Sequence, residues 1–600
     1  MNLSWPDWLI IVLYFAISAG IGIAYTKKAG TSLADYFVSG RSLPWWLAGT
    51  SMVATTFAAD TPLAVAGLVA KYGVAGNWLW WNMALSGILT VFFFARLWRR
   101  AGVLTDVEFV ELRYGGRPAA LLRGFRALYL ALPVNLIIMG WVTRAMVTIL
   151  EITLGVNPWT AAIVLFVITA VYSALGGLWG VIVTDVFQFV VAMVGSILLA
   201  VLAVKSIGGL DALVSRGTEH FGSHGAAFGV IPPTDQAWLP LSTLIVFLAV
   251  QWWAAWYPGA EPGGGGYVAQ RILSAKDERH GLLATLWFNI AHYALRPWPW
   301  ILVGFVGVLT HPGLKNPEEG YVRVMVDVLP TPWKGLLLAA FAAAYMSTIS
   351  THLNWGSSYL VNDFYLRFFK PKATAREQVI ASRLATGILM VLALVVMQFL
   401  TSVEQGWRIL IGLGAGTGLV LILRWYWWRI NAWSEISAML ASLAVSLALP
   451  LFGLGAGDPS SREYALTMLA NVGVTTAVWL AVTFLTRPEQ DAVLERFYRQ
   501  VRPGGAGWRQ VATRLGHGDD TIPGGALSWV NWLAGVTAVY AAVFAVGAFL
   551  TGSALRGAIY SAVAIAAFAL IQRNLRADPQ LVEVAADEAR GRVDTVPAGR

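Results

Sequence analysis

Residues 333–362 form an apolar stretch that contains a dense group of hydroxyl side chains. At helical spacing one face of it carries Ala344, Ser347, Thr351, Asn354 and Ser358. Sodium, like other hard cations, prefers several oxygen ligands, and hydroxyls with free carbonyls supply them without a full charge. The alternative is that these hydroxyls bond their own helix or a neighbouring one. The stripe therefore predicts either an alkali-ion site or a polar contact between helices.

A second polar group interrupts the apolar stretch 44–70. Its members are Thr55, Thr56, Asp60 and Thr61. Pro62 follows them, removes a backbone donor and disfavours helical geometry at Thr61. A broken helix here would free the carbonyls around residues 54–58 for an ion at the membrane midplane. The alternative is a proline kink satisfied by neighbouring helices, although an unpartnered Asp60 would be costly there.

A third candidate is Asp185, which follows Thr184 in the stretch 180–204. Asp185 and Gln188 are three residues apart and face the same way on a helix. A carboxylate in this position could bind a cation on its inward path. Because Asp185 lies near the predicted cytoplasmic end of the stretch, a solvated or helix-capping role is the alternative.

A fourth group lies in the stretch 281–309. One face of it carries Thr285, Asn289, His292 and Arg296. Such a face favours a water-filled cavity over lipid, because polar groups at membrane depth are costly. A histidine that is simply satisfied inside a helix bundle is the alternative reading of His292.

The composition places these groups in a membrane. Hydrophobic residues make up 57% of the 600, and charged residues only 12%, against about 25% in soluble domains. Many apolar stretches exceed about 18 residues, which is enough to cross about 30 Å of hydrocarbon as a helix. Lipid offers no hydrogen-bond partners, so the predicted class is an all-α polytopic membrane protein. The chain contains no cysteine, which excludes disulfides, thiolate metal sites and a cysteine nucleophile.

The apolar stretches predict about fifteen membrane spans. They are 6–26, 44–70, 77–97, 125–149, 159–176, 180–204, 240–257, 281–309, 333–362, 378–401, 406–427, 433–453, 466–486, 527–550 and 556–573. The division at 176–180 requires a tight hairpin. The beginning of the chain lacks a basic region before its first apolar stretch, so we expect that span to remain in the mature protein.

Basic residues set the predicted orientation. They are two to three times more frequent in alternate loops, and this bias places the N-terminus outside and the C-terminus inside. The net charge of +9 is therefore explained by topology. No basic run with interleaved aromatics suggests nucleic-acid binding.

Four motifs, in this order, resemble the sodium:solute symporter family. Asp35 through Trp46 is similar to D-Y-F-x-x-G-R-S-L-P-W-W, and Gly177 through Gln188 to G-L-x-x-V-I-x-T-D-x-x-Q. Gln270 through Lys276 is similar to Q-R-x-L-[SA]-A-K. Met346 through Asn354, with Asp363 to Tyr365, is similar to M-S-[ST]-x-S-[ST]-x-L-N followed by D-x-Y. The family includes sodium-coupled glucose, proline and sialic acid cotransporters.

The resemblance implies a LeuT-type fold with two inverted five-helix repeats, about 44–204 and 240–428, inside a core of residues 1–486. Solute and ion would bind where the first helix of each repeat is broken. The span 240–257 would be the second broken helix, with Pro258 and Gly263–Gly266 as a flexible exit. The expected remainder is a cytoplasmic linker at 487–526, two additional helices within 527–573, and a disordered tail at 574–600. The outer loop 205–239 is expected to form at most a short surface helix.

The resemblance also implies the ion ligands. The main sodium site would use the carbonyls of Ala54, Phe57 and Ala344 with the hydroxyls of Ser347 and Thr348. A second sodium site, present in some members, would map onto Asp185, Ser347, Ser350 and Thr351. Sodium is the only metal implied, and no cofactor is expected.

The chain departs from its relatives at the expected solute site. Trp80 stands where the sugar-carrying branch has a glutamate, and His292 where that branch has a lysine. Thr56 stands where the proline-carrying branch has an aspartate. The candidate solute contacts are Thr56, Asp60, Thr61, Trp80, Gln251, Trp252, Trp253 and His292. Trp252 and Trp253 could cover a solute ring or belong to an interfacial belt.

Together the residues and the resemblance predict sodium-coupled symport of a small polar solute, either sugar or polyol, carboxylate, or amino-acid-like. A proton-coupled variant, using Asp60, Asp185 and His292, and a transporter-like nutrient sensor are the alternatives. We do not expect an enzyme, since no H-E-x-x-H, G-x-S-x-G or P-loop motif is present. The expected location is the inner (plasma) membrane. The expected partners are the solute, sodium and the lipid bilayer, and no obligate protein partner is implied.

Overall fold

The computed structural model describes residues 3–26, 39–103, 105–173, 178–231, 233, 240–255, 262–453 and 462–582. Within these ranges the chain is all-helical and contains no β-strand. A single extended contact joins Leu43 to Ser274 and Lys276 through two backbone hydrogen bonds. Seven described helices are long and apolar enough to cross a membrane, or ten if each bent helix pair counts as one span.

The first part of the described chain runs to residue 233. Its helices are α1 Trp5–Thr26, α2 Trp45–Thr55, α3 Asp60–Tyr72, α4 Val74–Trp81, α5 Ala84–Ala101, α6 Phe109–Arg113, α7 Gly116–Leu154, α8 Pro158–Ser173, α9 Leu178–Ser206, α10 Leu210–Phe221 and α11 His224–Phe228.

The second part begins at residue 240. Its helices are α12 Leu241–Ala254, α13 Gly266–Ser274, α14 Glu278–Ile290, α15 Pro297–Thr310, α16 Glu319–Val328, α17 Trp333–Phe368, α18 Ala375–Phe399, α19 Val403–Gly414, α20 Gly418–Tyr426, α21 Ala432–Ala448, α22 Arg462–Leu485, α23 Asp491–Val501, α24 Arg509–Arg514, α25 Gly525–Leu550 and α26 Ala554–Arg576. A π-helical turn, Ala291–Leu295, joins α14 to α15.

Every predicted span overlaps a helix or a bent pair of helices. The break that Pro62 predicts is present, since α2 and α3 meet at 60°. Two further stretches, predicted as single spans, are also bent: α4 meets α5 at 40° and α19 meets α20 at 49°. The count of fifteen spans and the orientation of the termini stay predictions.

Some predicted features fall outside the described residues. They are residues 176–177 of the hairpin at 176–180, residues 35–38 of the motif at 35–46, Pro258 and the tail beyond residue 582. Part of the outer loop 205–239 is helical, in α10 and α11. The predicted linker 487–526 is also partly helical, in α23 and α24.

Local sequence signals explain several helix ends. Thr374 and Glu377 form a reciprocal capping box at the start of α18. Pro297 lies in the first turn of α15, where its missing N–H costs nothing. The chain leaves α7 through Gly155 at φ 66°, a left-handed conformation that glycine adopts without strain.

The broken pair α2–α3 lies at the centre of the helix bundle. Small residues allow its two halves to approach their neighbours closely. A Cβ added at Gly49 would lie 2.6 Å from the carbonyl oxygen of Ala284, on α14. A Cβ added at Gly304, on α15, would lie 2.9 Å from the Cα of Ala66. The break is therefore enclosed by protein on both sides rather than exposed to lipid.

The segment after α22 packs across one end of this bundle. Phe497 stacks on Trp508 with ring centroids 5.3 Å apart, and the guanidinium of Arg113 lies 5.0 Å from the centroid of the Trp508 ring. The indole N–H of Trp508 donates to the carbonyl of Trp425 at 2.7 Å. The predicted linker thus contacts the end of α20 and the end of α6 together.

Candidate functional site

A cavity of about 70 Å³ lies beside the break between α2 and α3. Water needs roughly 10–15 Å³ of such space, so this cavity has room for several water molecules. Its described lining consists of Thr55, Thr56, Ala58, Asp60, Thr61, Trp80, Met83, Ile138, Trp141, Val142, Tyr267, His292, Tyr293, Arg296, Thr348, His352 and Trp407. Five of the eight predicted solute contacts are in this lining.

The break itself is stabilised by side chains that bond to its backbone. The hydroxyl of Thr61 donates to the carbonyl of Thr56 at 3.1 Å, and the hydroxyl of Thr56 donates to the carbonyl of Val53 at 2.8 Å. The amide of Phe57 closes the last turn of α2 on the carbonyl of Ala54 at 2.9 Å. Carbonyl oxygens accept two hydrogen bonds or ligands each, so the Ala54 oxygen keeps a lone pair for an ion.

Asp60 lies in the first turn of α3 and is buried. Its carboxylate accepts a hydrogen bond from the indole N–H of Trp141 at 2.8 Å. The hydroxyl of Thr61 lies 3.3 Å from the other carboxylate oxygen. The positive charge of Arg296 also acts on Asp60. These contacts offset part of the cost of burying the carboxylate.

The hydroxyl-rich part of α17 faces the end of α2. The hydroxyl of Thr348 lies 3.5 Å from the carbonyl oxygen of Thr55. Ser347 lies one residue earlier, and its hydroxyl donates to the carboxylate of Asp185 at 2.8 Å. Ala344 is buried one turn before Ser347. The predicted ligands of the main sodium site thus come from two elements that touch each other.

The predicted second site is centred on the buried carboxylate of Asp185. Besides Ser347, Ser51 donates to it at 2.7 Å, and the charge of the buried Arg271 acts on it. Ser350 donates to the backbone carbonyl of Ser347 at 3.0 Å, and Thr351 follows it on α17, half-buried. The structure therefore brings Asp185 and Ser347 together directly and places Ser350 and Thr351 on the adjoining turn.

The polar face of α14 continues into the cavity. The guanidinium of Arg296 bonds to Nδ1 of His292 and donates to the hydroxyl of Thr56 at 3.0 Å. The His292 ring meets Trp80 edge-on, with ring centroids 5.5 Å apart, and Trp80 stacks on Tyr293 at the same separation. Arginine, histidine and threonine thus present donors and acceptors beside an aromatic wall.

Three predicted solute contacts, Gln251, Trp252 and Trp253, are absent from the described lining of this cavity. The Gln251 amide donates to the carbonyl of Leu79 at 3.2 Å and accepts from Tyr464 at 2.9 Å. Trp252 and Trp253 donate to carbonyls of their own helix, and Trp252 packs against Trp532 of α25. Gln251 thus contacts α4, and none of the three side chains lines the cavity.

Several residues that line the cavity or contact Asp185 were not among the predictions. Ser51 is one helical turn before Thr55, so the α2 pattern carried a signal for it. Arg271 lies inside the motif Gln270 to Lys276, although nothing there assigns it to Asp185. Trp141 and Trp407 had no local signal, because tertiary packing alone brings them to the cavity.

Comparison with known proteins identifies the family. The sequence profile of the Sodium:solute symporter family matches residues 36–442, about two thirds of the chain. The chain belongs to the sodium:solute symporter family. It is therefore a multi-pass membrane transporter of the sodium-coupled symporter class rather than an enzyme.

Similar proteins and a similar structure agree with this assignment. The chain is 26% identical to the sodium/glucose cotransporter of Vibrio parahaemolyticus over 518 residues, which cover 82% of this chain and 92% of that protein. It is 24% identical to sodium/glucose cotransporter 1 of Oryctolagus cuniculus over 561 residues, which cover 83% and 81%. A Na⁺-coupled sialic acid symporter in a substrate-bound outward-open state matches with a TM-score of 0.64 and 19% identity, over 82% of this chain and all of that chain. The fold of this family member is thus that of a Na⁺-coupled symporter.

Proposed function

We propose that this protein couples the downhill entry of sodium to the uptake of a small polar solute by alternating access across the inner (plasma) membrane. Sodium would bind to the carbonyls of Ala54, Phe57 and Ala344 and the hydroxyls of Ser347 and Thr348. A second sodium would bind to Asp185, Ser347, Ser350 and Thr351. The solute would occupy the cavity beside the α2–α3 break.

The observation that carries this proposal is the position of Thr348. This residue lines the cavity, and its hydroxyl lies 3.5 Å from the carbonyl of Thr55 at the broken end of α2. An ion bound between α2 and α17 would therefore fix the backbone that forms one side of the cavity. Coupling needs such a shared element, because each ligand must favour the same conformation.

The chemistry of the cavity favours an uncharged, polyhydroxylated solute of the sugar or polyol class. The described lining has one acidic side chain, Asp60, and one arginine, Arg296, beside two histidines. These opposite charges offset each other, so a solute of high net charge would be left uncompensated. Trp80, Trp141 and Tyr293 offer aromatic faces to the apolar side of a ring. Two relatives are named as sodium/glucose cotransporters, which supports the same class.

Uptake into proteoliposomes tests the coupling ion. The purified protein should accumulate a sugar or polyol when sodium is high outside and potassium is high inside. It should not do so when potassium replaces sodium on both sides. Accumulation driven by a pH gradient without sodium would instead establish the proton-coupled alternative. Uptake of the correct solute that ignores both gradients would reject coupling.

A thermal-shift screen tests the solute class. Sugars, polyols, carboxylates and amino acids are each added with and without sodium. A ligand that prefers the sodium-bound protein raises the melting temperature most when both are present. A shift with sugars or polyols supports the proposed class, whereas a shift confined to carboxylates or amino acids contradicts it.

A further inference from the structure

The helix α25 lies outside the part of the chain that matches the family profile, yet it contacts the wall of the cavity. The hydroxyl of Tyr540 donates to the carbonyl of Trp81 at 2.8 Å. The indole N–H of Trp532 donates to the carbonyl of Leu85 at 3.0 Å. Both acceptors lie at the bend between α4 and α5, so α25 bonds to the backbone at an interruption of regular helix.

The backbone at this bend explains why such donors are needed. The amide of Leu85 bonds to the carbonyl of Asn82 at 3.2 Å, so it does not serve the carbonyl of Trp81 four residues earlier. The side chain of Asn82 satisfies the carbonyls of Trp78 and Leu79 at 2.7 and 3.0 Å. A carbonyl left without a partner at membrane depth is destabilising, because lipid offers no hydrogen-bond donor. Tyr540 supplies the partner for the Trp81 carbonyl.

The same bend places the aromatic side of the cavity. Trp80 precedes the Trp81 carbonyl and lines the cavity, where it packs on His292 and Tyr293. Met83 follows the bend and also lines the cavity. A shift of the Trp81 peptide would therefore move Trp80 and Met83 together relative to His292.

A second contact joins α25 to the opposite side of this wall. The indole N–H of Trp298, at the start of α15, donates to the carbonyl of Val543 at 2.9 Å. Gly547 permits this approach, since a Cβ there would lie 2.5 Å from the Trp298 ring. The helix α25 thus touches both the α4–α5 bend and the helix that follows the His292 turn.

We propose that α25 is a positioning element for the solute cavity, and that Tyr540 positions Trp80 through its hydrogen bond to the Trp81 carbonyl. The inference rests on the proposed function only in treating this cavity as the solute site. The geometric claim concerns the wall itself and does not depend on which solute is carried.

Cysteine accessibility tests the geometry without any solute. The natural chain has no cysteine, so Met83→Cys introduces a single reactive thiol in the wall. The rate of its modification by a trimethylammonium methanethiosulfonate reagent is measured with and without Tyr540→Phe. We expect Tyr540→Phe to change this rate about fivefold, the effect of one lost hydrogen bond. An unchanged rate would overturn the proposal.

Two controls distinguish a specific effect of Tyr540 on the α4–α5 bend from a general destabilisation of the protein. Val142→Cys places the thiol on α7, across the cavity, and its rate should not respond to Tyr540→Phe. Tyr560→Phe makes the same chemical change on α26, where the ring contacts Phe544, and should leave the Met83→Cys rate unchanged. Equal changes at both thiols, or the same change with Tyr560→Phe, would contradict a specific role for Tyr540. Should Tyr540→Phe fail to fold, Trp532→Phe tests the neighbouring bond by the same measurement.

Transport provides the functional readout. In proteoliposomes, Tyr540→Phe should raise the solute concentration for half-maximal uptake about fivefold, while the sodium concentration for half-maximal uptake stays unchanged. A merely structural role would lower the amount of folded protein and leave both constants unchanged, which would overturn the proposal. If no sugar or polyol is transported but the Met83→Cys rate responds as expected, the proposed function fails and the positioning role stands.

Discussion

The hydroxyl of Ser347 donates to the carboxylate of Asp185 across 2.8 Å, which joins α17 to α9 in the interior of the bundle. Ser51 donates to the other oxygen of the same carboxylate, so α2 shares the contact. Three helices distant in sequence thus meet at one acidic side chain. Ser347 belongs to both proposed sodium sites, and its removal is the most direct test of them.

We expect Ser347→Ala to weaken sodium binding. It removes a proposed oxygen ligand and leaves the backbone of α17 in place. The sodium concentration for half-maximal uptake should rise by about tenfold or more, the usual effect of losing one polar interaction with a charged group. Ser357→Ala is the matched control, because Ser357 is on the same helix but bonds only to the carbonyl of Asn354 among the contacts described. Sodium dependence identical to that of the natural protein would count against the ion assignment.

Asp185→Asn should change the coupling of ion to solute. The amide keeps the shape of the side chain but removes the charge that a second sodium would need. We expect a lower sodium-to-solute ratio or a slower turnover, measured from reversal potentials and uptake rates in proteoliposomes. Asp211→Asn, at an exposed position of α10, provides a control for the same chemical change. If ratio and turnover both match the natural protein, Asp185 is not an ion ligand.

Arg296→Lys should weaken solute binding more than sodium binding. The planar guanidinium contacts Thr56 and His292 together, and a lysine ammonium cannot reproduce that fork. We expect the solute concentration for half-maximal uptake to rise about tenfold, with little change in the sodium requirement. Arg323→Lys, in an i,i+4 ion pair with Glu319, should affect neither. A rise in the sodium requirement alone would place Arg296 at the ion site instead.

Glu435→Gln should destabilise the protein without altering the cavity. The buried carboxylate of Glu435 bonds to Arg126 at 2.9 Å and to Tyr114, and Arg424 lies 3.4 Å away. Removing its charge takes away the main counter-charge of two buried guanidiniums, which typically costs about 3 kcal/mol. A lower melting temperature in detergent is expected. Glu463→Gln, at the exposed start of α22, should melt like the natural protein, and an unshifted melting temperature for Glu435→Gln would refute the prediction.

Short-range patterns predicted much of the fold and the centre of the site. Every stretch that was predicted as a span from its apolar length overlaps a helix or a bent pair of helices. Pro62 marked the break between α2 and α3. Ser347, Thr348 and Asp185 followed from the cost of polar groups at membrane depth. These features are local, because helix formation, proline geometry and burial of a hydroxyl all depend on residues near each other in sequence.

The remaining features depend on contacts between distant residues. The bends at Asn82 and at residues 415–417 contain no proline. At the first bend the carbonyls accept from the side chains of Asn82, Gln251 and Tyr540, and at the second the hydroxyl of Ser442 donates to the carbonyl of Ala415. Trp141 and Trp407 reach the cavity only because α7 and α19 pack beside α3. Trp252 and Trp253 belong to the expected second broken helix, 240–257, but do not line the cavity. Spacing along the sequence cannot distinguish residues that line the cavity from residues that pack elsewhere, because tertiary contacts decide between them.

The aromatic stack of Phe497 and Trp508 spans the boundary between the two proposed repeats at one end of the bundle. Trp508 is covered by Arg113, from the first repeat, and donates to the carbonyl of Trp425, from the second. Glu489 likewise accepts from the amides of Gly115 and Ala432. If the repeats move relative to each other during transport, the segment that contains Phe497 and Trp508 must either move with one repeat or lose its contacts with the other in every cycle. We therefore expect the rate of such a motion to depend partly on residues 489–508, which lie outside both proposed repeats.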